Sequence, residues 1–188
     1  MQFNSFIFIM LFLPITILAY FLINKVNLLM GKVVIIVASA IFYIYFDIKA
    51  AAVMGISLFI NFMFAHLIYR TKQWNKLFAI VPIVVNIGLL FYFKYLSFFI
   101  TTFDHIIGNN HDVRNLMLPV GISFFSFQQI AYIVAIYKKD ITNISVIDYL
   151  AYILYFPKIL MGPLMEPSDF IIQFNVYIST VQNHLHGC

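Results

Sequence analysis

The stretch LFAIVPIVVNIGLLFYFKYLSFFI, residues Leu77–Ile100, decides how the rest of the chain is interpreted. It runs for 24 residues with a single charged side chain, Lys94. A helix needs about 20 mostly apolar residues to cross the hydrocarbon core of a bilayer. Because backbone N–H and C=O groups in hydrocarbon must pair within the protein, such a stretch predicts a membrane-spanning helix.

Further stretches of the chain have the same apolar character. They are Ser5–Ile23, Leu28–Phe46, Ala50–Tyr69 and Leu116–Tyr137. A last candidate, Val146–Leu164, is interrupted by Pro157 and by Gly162-Pro163. Since proline disturbs the helix before it, this segment is either a broken or re-entrant element or a kinked helix followed by a loop. We therefore expect an all-α, multi-pass transmembrane protein with about five to six spans.

The composition excludes several classes of protein. Hydrophobic residues make up 63% of the chain and charged residues only 10%, and the mean hydropathy is +0.97. A soluble domain carries about 25% charged residues. The one cysteine, Cys188, permits no intramolecular disulfide and no cysteine-cluster metal site. The basic residues form no patch with interleaved stacking residues, so we expect no nucleic-acid partner.

The distribution of basic residues predicts the orientation in the membrane. Alternate connections carry Lys25 with the adjoining Lys32, then Arg70, Lys72 and Lys76, then Lys138 and Lys139. The other connections carry only Lys49 and Arg114. This bias of seven to two places the basic connections in the cytoplasm by the positive-inside rule. We expect a protein of the cell (inner, plasma) membrane with an extracytoplasmic N-terminus.

Polar residues inside the predicted spans are the candidate site, because burying them in lipid is costly. The candidates are Asn61, Asn86, Gln128 and Gln129. They either form interhelical hydrogen bonds or line a polar channel. No catalytic, cofactor-binding or metal-ligating residue is predicted, since the His and Asp residues of Thr101–Asn115 match no compact ligand motif.

One motif makes the sequence similar to a known family. Leu118–Gln128, LPVGISFFSFQ, is followed by Tyr132 and by Tyr137-Lys138. This pattern resembles the membrane-bound O-acyltransferase family, in its alginate O-acetyltransferase-like branch. Other matching pieces occur in order: Phe3-Asn4-Ser5, Phe12-Leu13-Pro14, Ala38-Ser39 before Phe42-Tyr43, Asn61, Tyr92–Tyr95, and Phe156-Pro157 before Gly162-Pro163. The resemblance covers about residues 3–174. We therefore expect residues 1–174 to be an N-terminal transmembrane region and 175–188 to be an unmatched C-terminal tail.

The resemblance implies an enzymatic context. The full-length family enzyme would transfer an acyl group, often acetyl, from an acyl thioester or acyl carrier to a hydroxyl of an extracytoplasmic polysaccharide. No cofactor is expected to be bound by this chain. The expected partners are the lipid bilayer and either a separately encoded catalytic C-terminal half or extracytoplasmic acyl-transfer proteins.

Two departures from the family pattern limit what this chain can do. Ala135 stands where the family commonly has Asp. The family's proposed catalytic histidine belongs to a later Trp-, Arg- and His-rich region that has no match here, and His184 and His186 lie in different surroundings. We therefore expect an N-terminal fragment that is inactive alone. The alternatives are a small membrane channel or transporter subunit, or a structural partner of a separately encoded catalytic half.

Overall fold

The computed structural model of the protein describes residues 8–24, 27–46, 48–71, 75–95, 99, 121–155 and 165–174, and no strand occurs among them. The helices are α1 (Leu13–Asn24), α2 (Leu28–Phe46), α3 (Ile48–Arg70), α4 (Asn75–Leu90), α5 (Ile122–Lys138) and α6 (Val146–Leu154). A π-helical turn, Phe8–Phe12, precedes α1, and another, Phe91–Tyr95, continues α4. Residues 167–174 are also helical. The predicted all-α class is confirmed for this part of the chain.

The helices pack as a bundle around α3 and α5. Consecutive helices from α1 to α4 pack against each other, α5 packs against both α3 and α4, and α6 contacts α2, α3 and α5. Buried tyrosines fill the contact between α5 and α6. The ring of Tyr132 lies 4.7 Å from that of Tyr149, measured between centroids, and the Tyr149 hydroxyl donates to Leu58 O at 3.1 Å. The polar cluster described below lies where α3, α4 and α5 meet.

The distribution of polar and apolar side chains is inverted relative to a soluble protein. Polar side chains are buried inside the bundle, among them Asn24, Lys32, Ser39, Ser57, Asn61, Asn86, Ser126, Gln128 and Gln129. Large apolar side chains point outward, among them Ile15, Leu18, Leu22, Ile41, Ile56, Phe59, Val84 and Ile87. A water-soluble protein usually exposes its polar side chains to solvent. Helices that meet in lipid bring small and polar residues together and leave apolar residues outside.

Two helical segments are long and apolar enough to cross a membrane. Among the described residues these are Ile48–Arg70, with 23 residues, and Asn75–Tyr95, with 21. Met10–Asn24 and Leu29–Tyr45 are shorter apolar helices. The bounds of α2 match the predicted stretch residue for residue.

The last two predicted spans differ in their limits. The helix α5 begins at Ile122, because Gly121 adopts the left-handed conformation at φ 75° and so marks a sharp entry into the helix. Its predicted first residues, 116–120, lie outside the described part. The helix α6 ends at Leu154, ahead of Pro157, and its 9 residues make it about 13 Å long. Residues 156–164 are not described, so the choice between a re-entrant and a kinked element stays a prediction.

Candidate functional site

Three of the four candidate residues meet at one place in the bundle. Asn61 comes from α3, Asn86 from α4 and Gln129 from α5, and each is 0% exposed. Ser57, one helical turn before Asn61, joins them. All four lie near the middle of their helices, so the cluster sits deep in the bundle rather than at its ends.

The three amides form a continuous chain of hydrogen bonds. Asn86 Nδ2 donates to Asn61 Oδ1 at 2.7 Å, and Asn61 Nδ2 donates to Gln129 Oε1 at 2.6 Å. The Ser57 hydroxyl donates to the same Gln129 oxygen at 2.8 Å. We call Ser57, Asn61, Asn86 and Gln129 the amide chain. It joins α3, α4 and α5 directly, and therefore fixes their relative height.

The amide chain is also anchored to backbone carbonyls. Asn61 Nδ2 is 2.9 Å from Ser57 O, and Asn86 Nδ2 is 2.8 Å from Pro82 O inside α4. None of its four side chains titrates near neutral pH, so none can act as a general base. The amide chain can hold helices and hydrogen-bond a neutral group, but it carries no catalytic proton chemistry.

The fourth candidate, Gln128, does not join the amide chain. It is 1% exposed, yet neither its amide oxygen nor its amide nitrogen has a hydrogen-bond partner in the part of the chain that the structure describes. The hydroxyl of Tyr132, one turn later, is also buried and unpaired there. Further buried polar atoms without a partner are Asn24 Oδ1 and Nδ2, Asn86 Oδ1, Ser126 Oγ and Gln129 Nε2.

A buried ion pair was missed by the sequence analysis. Lys32 Nζ donates to Asp148 Oδ1 at 2.5 Å, with side chains that are 5% and 18% exposed. Counting Lys32 with the loop charges was wrong, since it lies inside α2 and is paired. Without Lys32, six basic residues in the alternate connections stand against two in the others, where seven stood against two before. The position of Lys32, four residues after the start of the apolar stretch Leu28–Phe46, already indicates that it lies inside a helix.

Comparison with known proteins points to one kind of relative. The peptidoglycan O-acetyltransferase of Helicobacter pylori is 29% identical over 201 residues, which cover 92% of this chain and 38% of that protein. The probable alginate O-acetylase AlgI of Pseudomonas aeruginosa is 29% identical over 197 residues, covering 100% of the chain and 37% of the relative. That of Azotobacter vinelandii is 30% identical, with 100% and 39% covered.

The chain is similar in sequence to these bacterial O-acetylases over 92–100% of its length. The predicted resemblance to the alginate O-acetyltransferase-like branch of the membrane-bound O-acyltransferases is thereby confirmed. The chain spans less than half the length of these curated relatives. No protein-family model matches it, and no solved structure does either.

Among the described residues, Lys32 is the one charged side chain that is buried. In the described residues no three His, Cys, Asp or Glu side chains gather as metal ligands would. His66 lies partly exposed near the end of α3, whereas His105, His111, His184 and His186 fall outside the described residues. Ala135 is buried in α5 and leaves that helix position without a charge. In the described residues, the geometry therefore defines a cluster of uncharged, hydrogen-bonded side chains.

Proposed function

We propose that the chain forms the N-terminal membrane region of a bacterial O-acyltransferase. The complete enzyme would move an acyl group, acetyl by analogy with the relatives, from an acyl thioester or acyl carrier to a hydroxyl of an extracytoplasmic polysaccharide. The observation that carries this proposal is the alignment of 92–100% of the chain with proteins named for peptidoglycan or alginate O-acetylation.

The inverted surface supports a location in the inner, or plasma, membrane. Exposed Ile, Leu, Val and Phe side chains match hydrocarbon, and buried amides find partners on neighbouring helices. The corrected six-to-two distribution of basic residues still favours cytoplasmic basic connections and an extracytoplasmic N-terminus. We propose a multi-pass topology on these grounds.

The amide chain gives this region a scaffolding role. It ties three helices together at mid-height without any charge, so it can form one wall of a path for neutral groups. The acyl transfer itself needs a general base, whose contribution is about 10²–10⁴ in rate. The amide chain holds no titratable side chain that could supply one, and we infer that it contributes scaffold rather than the base.

A segment-exchange experiment tests the proposal. This chain replaces the aligned segment of the P. aeruginosa alginate O-acetylase, and alginate acetylation is measured in cells lacking the native protein. A second exchange, using the aligned segment of the A. vinelandii protein, controls for tolerance of the swap. Membrane abundance of each chimera is measured in parallel.

We expect acetylation from both chimeras, and a strong reduction when Asn61→Leu is added to the first. If only the chimera with the A. vinelandii segment acetylates alginate, although both chimeras are equally abundant, the proposed role is contradicted. The same role is contradicted by acetyl transfer from a thioester to a glycan by this chain alone in proteoliposomes, if His66→Ala abolishes that transfer.

A further inference from the structure

Two buried polar groups of α5 lie together on one helix face. Gln128 and Tyr132 are four residues apart, so their side chains project from the same side of the helix. They are 1% and 0% exposed. Both amide atoms of Gln128 and the hydroxyl of Tyr132 lack a hydrogen-bond partner among the described residues.

Two tyrosine hydroxyls of α6, next to Tyr132, are paired. The Tyr149 hydroxyl donates to Leu58 O, and the Tyr152 hydroxyl donates to Met165 O, each at 3.1 Å. These two rings flank Tyr132, with centroids 4.7 Å and 6.2 Å from its own. Backbone carbonyls therefore satisfy the hydroxyls of both rings beside Tyr132. Ser126 Oγ and Gln129 Nε2 of α5 are also unpaired, but Gln128 is the residue of α5 whose two amide atoms both lack a partner among the described residues.

Burial of such groups without partners opposes folding. An amide or hydroxyl taken from water into an apolar environment loses its hydrogen bonds to solvent, and this loss is offset only by a new partner. A leucine and a phenylalanine at these positions would fill the same space without that cost. Polar groups kept at a stability cost are typical of sites that bind something else.

We propose that Gln128 and Tyr132 bind a neutral ligand group that both donates and accepts hydrogen bonds, and that a secondary amide is the best match. The glutamine amide offers a donor and an acceptor side by side, which complements the N–H and C=O of another amide. The tyrosine hydroxyl adds a third partner. Neither side chain is charged, and an ionic group would be left without a counter-charge from this pair.

The source of the amide rests on the proposed function. In an O-acyltransferase it is carried either by the pantetheine arm of an acyl thioester donor or by the N-acetyl group of a glycan acceptor. Both sources present the same secondary amide group. The proposed binding site rests on the burial and the missing partners of Gln128 and Tyr132, whichever source supplies the amide.

The first test needs no ligand and uses two adjacent glutamines as a matched pair. Gln128→Leu and Gln129→Leu are made in the full chain in lipid nanodiscs, and the thermal midpoint of unfolding is measured. We expect Gln128→Leu to raise the midpoint and Gln129→Leu to lower it, because only Gln129 bonds to Ser57 and Asn61. Equal destabilisation by both variants would show that Gln128 is a structural residue and would overturn the proposal.

The second test detects the ligand. 3-Fluorotyrosine is placed at position 132, and its ¹⁹F signal is followed while pantetheine or N-acetylglucosamine is added to the nanodiscs. A label at position 152, whose hydroxyl is bonded to Met165 O, is the control. We expect a saturable shift at 132, absent at 152 and abolished by Gln128→Leu.

The two probes distinguish the two sources. A shift with pantetheine alone assigns the site to the acyl donor, one with N-acetylglucosamine alone assigns it to the acceptor, and one with both supports amide recognition in general. No saturable shift with either probe, or a shift that survives Gln128→Leu, overturns the proposal. Failure of the segment exchange together with a positive amide titration would reject the O-acyltransferase assignment and leave the binding site standing.

Discussion

Lys32 Nζ and Asp148 Oδ1 lie 2.5 Å apart, although 116 residues separate them in the sequence. The pair joins the beginning of α2 to the first turn of α6. Asp148 also lies at the positive end of the α6 dipole, and its backbone N–H is within 3.4 Å of the Ser145 hydroxyl. The start of α6 is therefore held both by its own cap and by a charge inside α2.

Breaking this ion pair on one side should destabilise the protein more than removing it altogether. Loss of one partner of a buried pair costs about 3–5 kcal/mol, because the other charge stays buried alone. For Lys32→Met we expect about 3 kcal/mol, since Asp148 is partly exposed. Adding Asp148→Leu should restore most of the free energy of unfolding, measured by denaturant titration in detergent micelles. Additive losses in the double variant would argue against direct coupling.

Asn61 should be the most sensitive member of the amide chain. It donates to Gln129 and accepts from Asn86, so Asn61→Leu removes both links and leaves Asn86 bonded only to Pro82 O and Gln129 only to Ser57. We expect a loss of about 1–3 kcal/mol in unfolding free energy. Ser57→Ala removes one donor and should cost about 0.6 kcal/mol, typical of a hydrogen bond between membrane helices. Equal effects of the two variants, measured side by side in micelles, would contradict the central place of Asn61.

Two glycines should respond oppositely to alanine. A Cβ at Gly31 would lie 2.4 Å from Asn24 Oδ1, whereas one at Gly55 has nothing within 4 Å. Gly55→Ala should therefore stabilise α3 by about 1 kcal/mol through helix propensity. Gly31→Ala should lower the thermal midpoint, and Asn24→Ala should relieve much of that loss. Stabilisation by both alanines would show that α1 and α2 do not approach closely at Asn24.

The proposed orientation places the connection after α3 in the cytoplasm. Gln73, which lies outside the described residues, is changed to cysteine in a Cys188→Ser background. Intact cells are then treated with an impermeant maleimide. We expect no labelling until the membrane is permeabilised, while a cysteine at Asn110 should react from outside. Efficient labelling at position 73 in intact cells would reverse the topology.

Length and apolarity were enough to find most helices. They gave α2 its observed ends and placed Asn61, Asn86 and Gln129 at mid-helix, where polar side chains in lipid need partners. They also indicated a break in the last segment, and α6 does end before Pro157. These features depend on local composition, which a single sequence contains.

Other features depend on which helix faces which. Gln128 and Gln129 are adjacent and chemically identical, but they differ by about 100° around α5, so only packing decides which one meets α3. The pairing of Lys32 with Asp148 could not be predicted, because the two residues are 116 positions apart in the sequence. The break between Gly121 and Ile122 depends on the left-handed backbone of Gly121, which apolarity alone does not indicate.

The amide chain has a consequence for the order of assembly during synthesis. Asn86 can reach Asn61 as soon as α3 and α4 form a hairpin, but Gln129 is made 43 residues later. At about 5–20 residues per second, the ribosome needs about 2–9 s to add that interval. During this time the Ser57 hydroxyl and one Asn61 hydrogen lack their final acceptor. A nascent chain that is paused before α5 should therefore depend on insertion factors that shield polar helices. Once α5 is complete, the chain should no longer need these factors.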